Sequence, residues 1–228
     1  MYVISLGGSI VAPDRVDVGF LHSLRSLLAG YLAANEGTRM VIVVGGGGPA
    51  REYQRAYREV ARNPNDDAAD WIGVAATRLN GMLLHGILHE WCEEELLIDP
   101  MKPLSFTGRL LVAAGWKPGF STDNVAVTLA ERFGADTVVN LSNISHVYSG
   151  DPKLDPSAVA LDQISWDAFR RMVGNEWSPG RNLPFDPIAA GRASELHLRV
   201  IVADGRDLAN LERILEGALF RGTTIGPA

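Results

Sequence analysis

Tyr2–Leu6 and Met40–Val44 are short, almost unbroken apolar runs, and each stops at glycine. Residues 137–141 and 199–203 have the same character, and residues 110–114 run apolar into Gly115. Strands buried on both faces have this pattern, whereas half-exposed antiparallel strands alternate polar with apolar residues. Helical spacing fills the intervals. Phe20, Leu24, Leu27 and Leu28 fit one helix face, and Ile72, Ala76, Leu79, Leu83 and Ile87 fit another at steps of three and four. Ala126, Leu129, Ala130 and Phe133 predict a shorter helix that Ser121 or Thr122 can cap. Asp186 followed by Pro187 is a cap and first-turn signal for a helix holding Ala190, Ala193 and Leu196. Strands alternating with helices predict an α/β fold, a three-layer αβα sandwich around a central, mostly parallel sheet.

Such a sheet needs a sizeable core, and 228 residues with 46% hydrophobic content supply one. The expectation is a single domain over 1–228, built as two lobes that share the sheet. No apolar stretch approaches the roughly 20 residues that cross a bilayer, so no membrane partner is expected. The chain starts in a strand with no basic leader, which points to the cytoplasm. Twenty-one Lys and Arg against 27 Asp and Glu leave a net charge of −6 without a basic run. Nucleic acid, whose binding needs clustered cations, is therefore not an expected partner. Cys92 is the one cysteine; it can form no internal disulfide, and Glu93 to Glu95 disfavour its thiolate. His85 and His89 lie four apart but have no third ligand in the pattern, so no metal site is expected. What remains is a small ligand.

Glycine turns follow three of the strands. They are Gly7-Gly8-Ser9, Gly45 to Gly48 leading into Pro49-Ala50-Arg51, and Gly115 to Asp123. Glycine lets the backbone approach a ligand closely, and free amides at a helix start point at an anion. Three such turns at the carboxyl ends of strands in one sheet define a surface for several phosphates, because open α/β folds bind ligands at that edge. The Walker pattern is absent. Gly45, Gly47 and Ala50 fit a dinucleotide fingerprint, but the acidic residue expected at the end of the next strand is missing. Asp66, Asp67 and Asp70 open a long helix instead.

The neighbouring residues suit phosphoryl transfer, where positioning and positive charge do most of the catalysis. Arg51 lies in the first helical turn after the glycines. Lys117 sits in a turn constrained by Pro118 and Gly119. Asp123 falls at a helix start, where it also suits a plain cap. Trp116 interrupts a glycine turn and can lie against a ligand. Trp71, Trp91, Trp166 and Trp177 are expected in the core or at a lobe interface. Residues 150–156 and 174–187, rich in proline and glycine, resist regular structure and are candidate lids.

Taken in order, these segments resemble the amino acid kinase superfamily, and most of all its archaeal-type uridylate kinases. The resemblance covers the whole chain. It rests on Val3 to Ser9, on Val43 to Gly47 with Ala50-Arg51, and on Asp70-Trp71-Ile72-Gly73. It extends through the G-x-x-P-G-x-[ST]-T segment up to Thr122, Asp136 to Asn143, Tyr148, Asp151 and Pro152, Asp186 to Ala190, and Gly222 to Ile225. It implies that Gly46, Asp70, Trp116, Lys117, Pro118, Gly119, Phe120, Ser121 and Thr122 hold UMP. It implies that Gly7, Gly8, Ser9, Gly47, Arg51, Ser142, Asn143, Tyr148 and Asp151 hold ATP. Mg2+ would come largely through ATP oxygens and water, with Asp123 orienting it. Lobes of about 1–135 for the acceptor and 136–228 for ATP, and a homohexamer, also follow from the resemblance.

The chain departs from the superfamily pattern at three places. Ser5 stands where many members have lysine before the first glycine pair, Gly191 stands at a late-helix lysine position with Arg192 beside it, and Ser145-His146 replaces an Asp-Gly. The expectation is that Lys117 and Arg51 supply the missing charge for a UMP kinase. The alternatives are a non-catalytic nucleotide-binding subunit that stores or senses an anion such as a metal oxyanion, or a kinase acting on another small acceptor.

Overall fold

The computed structural model describes residues 1–152, 154–174 and 183–227. Its strands are β1 (Tyr2–Leu6), β2 (Met40–Val44), β3 (Leu110–Ala113), β4 (Thr137–Ser142), β5 (Val147–Tyr148), β6 (Ala160–Leu161), β7 (Gln163–Ile164), β8 (Arg199–Asp204) and β9 (Thr223–Ile225). Its helices are α1 (Gly8–Val11), α2 (Val18–Ala34), α3 (Gly47–Val60), α4 (Asp66–Ile87), α5 (Thr122–Phe133), α6 (Trp166–Val173), α7 (Pro187–Glu195) and α8 (Leu208–Leu215). One sheet runs β3-β2-β1-β4-β8-β9-β7, parallel throughout except where β9 lies antiparallel to β8. The hairpin β5-β6 stands apart from it.

Alternation along each strand sorts the core into two layers. Val3, Val41, Val43, Leu111 and Ala113 face α5, α6 and α7. Ile4, Leu6, Met40, Ile42, Val44, Leu110 and Val112 face α1, α2, α8 and the inner side of α4. Each fully buried Leu, Ile or Val contributes about 1.5–3 kcal/mol relative to exposure, so the doubly covered strands form the stable centre. One position breaks the apolar pattern: Ser5, 3% exposed, lies on the α5 side of β1.

From β1 the chain moves outward to β2 and β3, then α5 carries it back across the sheet to β4 on the other side of β1. That reversal opens a crevice between the carboxyl ends of β1 and β4, where open α/β sheets bind ligands.

The predicted caps form as expected at two helix starts. Ser121 rather than Thr122 is the cap of α5, accepting the Asn124 N–H at 3.2 Å. Asp186 caps α7 through the Ala189 N–H at 2.7 Å, with Pro187 as first helical residue.

The buried face of α4 differs from the predicted stripe. Leu79 is 65% exposed, and the buried positions are Ala69, Val74, Thr77, Asn80, Gly81 and Leu84. Thr77 and Asn80 turn inward because backbone groups there need partners, and a side chain at Gly81 would meet Leu96 at 2.8 Å. Hydrophobicity alone therefore misplaces this face. Trp166 is in the core as expected, whereas Trp71 is 45% exposed. In the first candidate lid, between β5 and β6, the Asp151 carbonyl accepts from the N–H groups of Leu154 and Asp155, and residue 153 lies outside the described residues. Of the second candidate lid, residues 175–182 lie outside the described residues, as does Trp177.

Candidate active site

The three glycine turns leave the ends of the adjacent strands β1, β2 and β3, and the first two pack against each other through backbone alone. A side chain at Gly8 would meet the Gly47 nitrogen at 2.2 Å and the Gly45 carbonyl at 2.5 Å. Gly47 takes φ +66, a conformation natural only to glycine. Among the described residues the N–H groups of Gly8, Ser9, Gly46 and Gly47 donate to no protein group. Four unengaged amides around one glycine contact are the type of donor set that suits an anion.

Helix α4 fixes two of the turns. The Asn80 amide donates to the carbonyls of Gly45 (2.8 Å) and Gly46 (3.2 Å). The Thr77 hydroxyl accepts from Gly115 N–H (2.8 Å) and donates to the Val74 carbonyl. Arg78 donates to the carbonyls of Gly115 (3.2 Å) and Trp116 (2.7 Å). Asp70 accepts the Gly119 N–H through one carboxylate oxygen at 2.8 Å, and its other oxygen has no hydrogen-bond partner among the described residues. Sequence reasoning found Asp70 but missed Thr77, Arg78 and Asn80. The available signal was Thr77 and Asn80 three apart on one side of an otherwise apolar helix.

Between these parts lies a cavity of about 220 Å³, lined by Gly46, Ala50, Asp70, Gly73, Val74, Thr77, Gly115, Lys117, Phe120, Ser121 and Thr122. The structure thus brings Gly46, Asp70, Lys117, Phe120, Ser121 and Thr122 together as anticipated. Pro118 and Gly119 complete the same turn. The Lys117 ammonium rests 3.9 Å from the centre of the Trp116 ring, and Phe120 meets that ring edge-on. Arg51 does not line the cavity. Its guanidinium is exposed and donates to the Pro13 carbonyl at 3.0 Å.

Beneath the turn is an acidic pair, Asp186 buried and Asp123 half-buried. Asp123 accepts from the Ser5 hydroxyl at 2.8 Å and from the Asp186 N–H at 3.2 Å. Burial pushes its carboxyl from 3.8 up to about 6; the Ser5 hydroxyl opposes the rise, neighbouring Asp186 adds to it, and the Asp186 N–H opposes it. Burial also raises Asp186, against hydrogen bonds from Ala189, Ser121 and Ile188. Neither carboxylate forms an ion pair among the described residues. Ser5 therefore occupies the lysine position as a hydroxyl donor. Gly191 leaves its position open, with only an Arg170 nitrogen 4.0 Å from where a Cβ would stand. Arg192 does not replace the lysine, since it donates to Thr128 and pairs with Glu131.

Across the crevice, the Gly7 N–H donates to the Leu141 carbonyl (2.7 Å) and the Gly205 N–H to the Ser142 carbonyl (2.8 Å). These bonds set the end of β4 beside the first glycine turn. The Ser142 hydroxyl is buried with no partner among the described residues, and Asn143 is exposed at the mouth. Tyr148 lies on β5 with its hydroxyl 3.2 Å from Ser145, and Asp151 opens the following turn. His85 and His89 each bond a backbone carbonyl, and no three metal-ligating side chains cluster among the described residues. Burial and Glu94 push the Cys92 thiol up to about 11, so it is not a nucleophile at neutral pH.

A mostly parallel αβα sheet with glycine turns at three adjacent strand ends, unengaged amides at two of them and a cavity beside the third, defines a scaffold of the phosphotransfer class. Residues 1–204 match the amino acid kinase family, and the chain belongs to it. It is 36% identical to the uridylate kinase of Methanospirillum hungatei over 226 residues, covering 98% of this chain and 93% of that one. It is 32% identical to the uridylate kinase of Pyrococcus abyssi, over 99% of both. The crystal structure of uridylate kinase from Archaeoglobus fulgidus superposes with a TM-score of 0.83 at 32% identity, again over 99% of both chains.

Proposed function

We propose that this protein transfers the γ-phosphoryl group of ATP to UMP, giving UDP and ADP. The observation that carries the reading is the single cavity in which Gly46, Asp70 and the turn from Trp116 to Thr122 meet, beside unengaged amides at Gly8, Ser9 and Gly47. The names of its relatives agree. UMP would sit against the acceptor turn, its ribose on the free Asp70 oxygen, within lobe 1–135. ATP would lie along Gly7, Gly8, Ser9 and Gly47 with its base and ribose toward Ser142, Asn143, Tyr148 and Asp151, in lobe 136–228. The two phosphate chains then meet end to end for in-line transfer.

The nucleophile is already a phosphate oxygen, so no strong general base is needed. What the site must supply is charge and alignment. Lys117 would leave the Trp116 ring for the transferring group. Arg51 would exchange the Pro13 carbonyl for a phosphate oxygen, a stronger, charge-assisted bond. Asp123, held by Ser5 and Asp186, would orient the cation. Mg2+ would neutralise phosphate charge as it enters on ATP. The donor set fits a hydrated, nucleotide-borne ion: Asp123 and Asp186 bring two carboxylates together beneath the acceptor turn, and neither has a paired cation among the described residues.

A homo-oligomer, a hexamer by resemblance, belongs to the same reading. Trp71, Leu79 and Met82 form an exposed apolar stripe on α4 (45%, 65% and 65% exposed) that a second copy of the chain would cover. A cytoplasmic location is part of it too; no described helix is long and apolar enough to cross a membrane. No observation favours an anion-storing subunit or another acceptor. The test is incubation with Mg-ATP and UMP, CMP, dUMP, AMP or GMP in separate reactions, reading nucleoside diphosphate. UDP from UMP is expected, and no product from any acceptor would overturn the proposal.

A further inference from the structure

We infer that Arg78, which faces the back of the acceptor turn, is a positioning residue that aims the turn at its anion. This rests on the reading of the cavity as the UMP seat. Arg78 places its guanidinium over the exposed Trp71 ring, 5.7 Å from its centre, and forks onto two successive carbonyls, those of Gly115 and Trp116. In a trans peptide the carbonyl and the next residue's N–H point opposite ways, and the described chain contains no cis bond. Drawing both carbonyls toward α4 therefore turns the N–H groups of Trp116 and Lys117 away from it. Among the described residues, neither N–H has a protein acceptor.

Left alone, two neighbouring carbonyls on one side of a turn repel each other. Only a planar cation with several fixed donors satisfies both at once, which an ammonium does less well. Thr77 and Asp70 hold the same turn at Gly115 and Gly119, but neither sets the direction of the peptides at 116 and 117. Among the described residues Arg78 alone does that, and it lines the turn from behind rather than entering the cavity.

The effect should fall on the acceptor and spare the donor. In Arg78→Met the KM for UMP should rise tenfold or more, equivalent to about 1.4 kcal/mol, while the KM for ATP stays within twofold. Arg78→Lys, able to reach one carbonyl at a time, should recover part of the loss. Trp71→Leu, which removes the stacking face but keeps an apolar side chain on the outer stripe of α4, should give a smaller rise in the same constant. Calorimetric binding of UMP and of ATP, each without the other, should repeat the split without turnover. A wild-type chain that phosphorylates UMP, paired with an Arg78→Met chain whose UMP affinity is unchanged, would overturn the inference. So would equal weakening of both nucleotides, or equal defects in the Met and Lys variants. A wild-type chain with no action on UMP would instead overturn the functional reading.

Discussion

Replacing Asp123 with Asn should make the fold more stable at neutral pH while removing a group that the proposed reaction needs. In the folded chain burial lifts the Asp123 carboxyl from 3.8 to about 6, so the native state binds its proton more tightly than the unfolded chain does. The stability linked to this group is present in full below 3.8 and is lost as pH rises through about 6. At 1.36 kcal/mol per pH unit, the difference amounts to about 3 kcal/mol missing at pH 7. Asn keeps the shape and both hydrogen bonds: its carbonyl can accept the Asp186 N–H while its amide donates to the Ser5 hydroxyl, which can accept as well as donate.

Asp186, whose charge raises Asp123, is relieved with it, and urea unfolding of both chains from pH 4.5 to 8 isolates the joint term because titrating groups remote from the pair cancel in the difference. These include Glu94, which backbone and hydroxyl donors at Thr107 and Gly108 hold below the usual carboxylate range and which stabilises in the opposite sense. The variant should exceed the wild type by about 1 kcal/mol at pH 4.5 and by about 3 kcal/mol at pH 7, the latter roughly 6–12 °C in Tm for a chain of this size. A constant difference across the range, or a variant less stable at pH 7, would show that Asp123 is not held at the cost its burial implies.

Lys117→Met should lower kcat about 100-fold, the usual loss for one transition-state donor, and wild-type turnover would remove Lys117 from the chemistry. Gly8→Ala should destabilise the fold by more than about 3 kcal/mol, beyond ordinary overpacking, since its Cβ would strike the Gly47 nitrogen and Gly45 carbonyl; a stable, ATP-binding variant would contradict the observed packing. Leu79→Glu should shift the chain to a smaller species by light scattering if α4 carries the interface between copies, and an unchanged mass would exclude that face.

The parallel core was legible because burial on both faces leaves a continuous apolar run, and the order of the glycine turns followed from their strands. The caps at Ser121 and Asp186 were equally local. What stayed hidden was set by tertiary partners. The inner face of α4 is polar where it serves Gly45, Gly46 and Gly115, so Thr77 and Asn80 turned inward against the apolar count. Arg78 resembled a surface cation because nothing in its neighbours announces two carbonyls 37 and 38 residues away. The sequence could show that Ser5 lacks an amine, but not that its hydroxyl would meet Asp123 from a different strand-helix unit. Arg51 and Lys117 were placed in the right turns, yet only coordinates reveal that one rests on Pro13 and the other on Trp116.

Helix α5 begins at the acceptor turn and ends by feeding β4, whose far end carries Ser142. Its seven buried residues, Asn124 to Ala130, are gripped between the sheet and α7. The acceptor turn and Ser142 are thus the two ends of one helix-turn-strand unit, folded back on itself at the left-handed Gly134 so that both ends reach the same edge of the sheet. The amides along its buried span should be among the last in the protein to exchange with solvent.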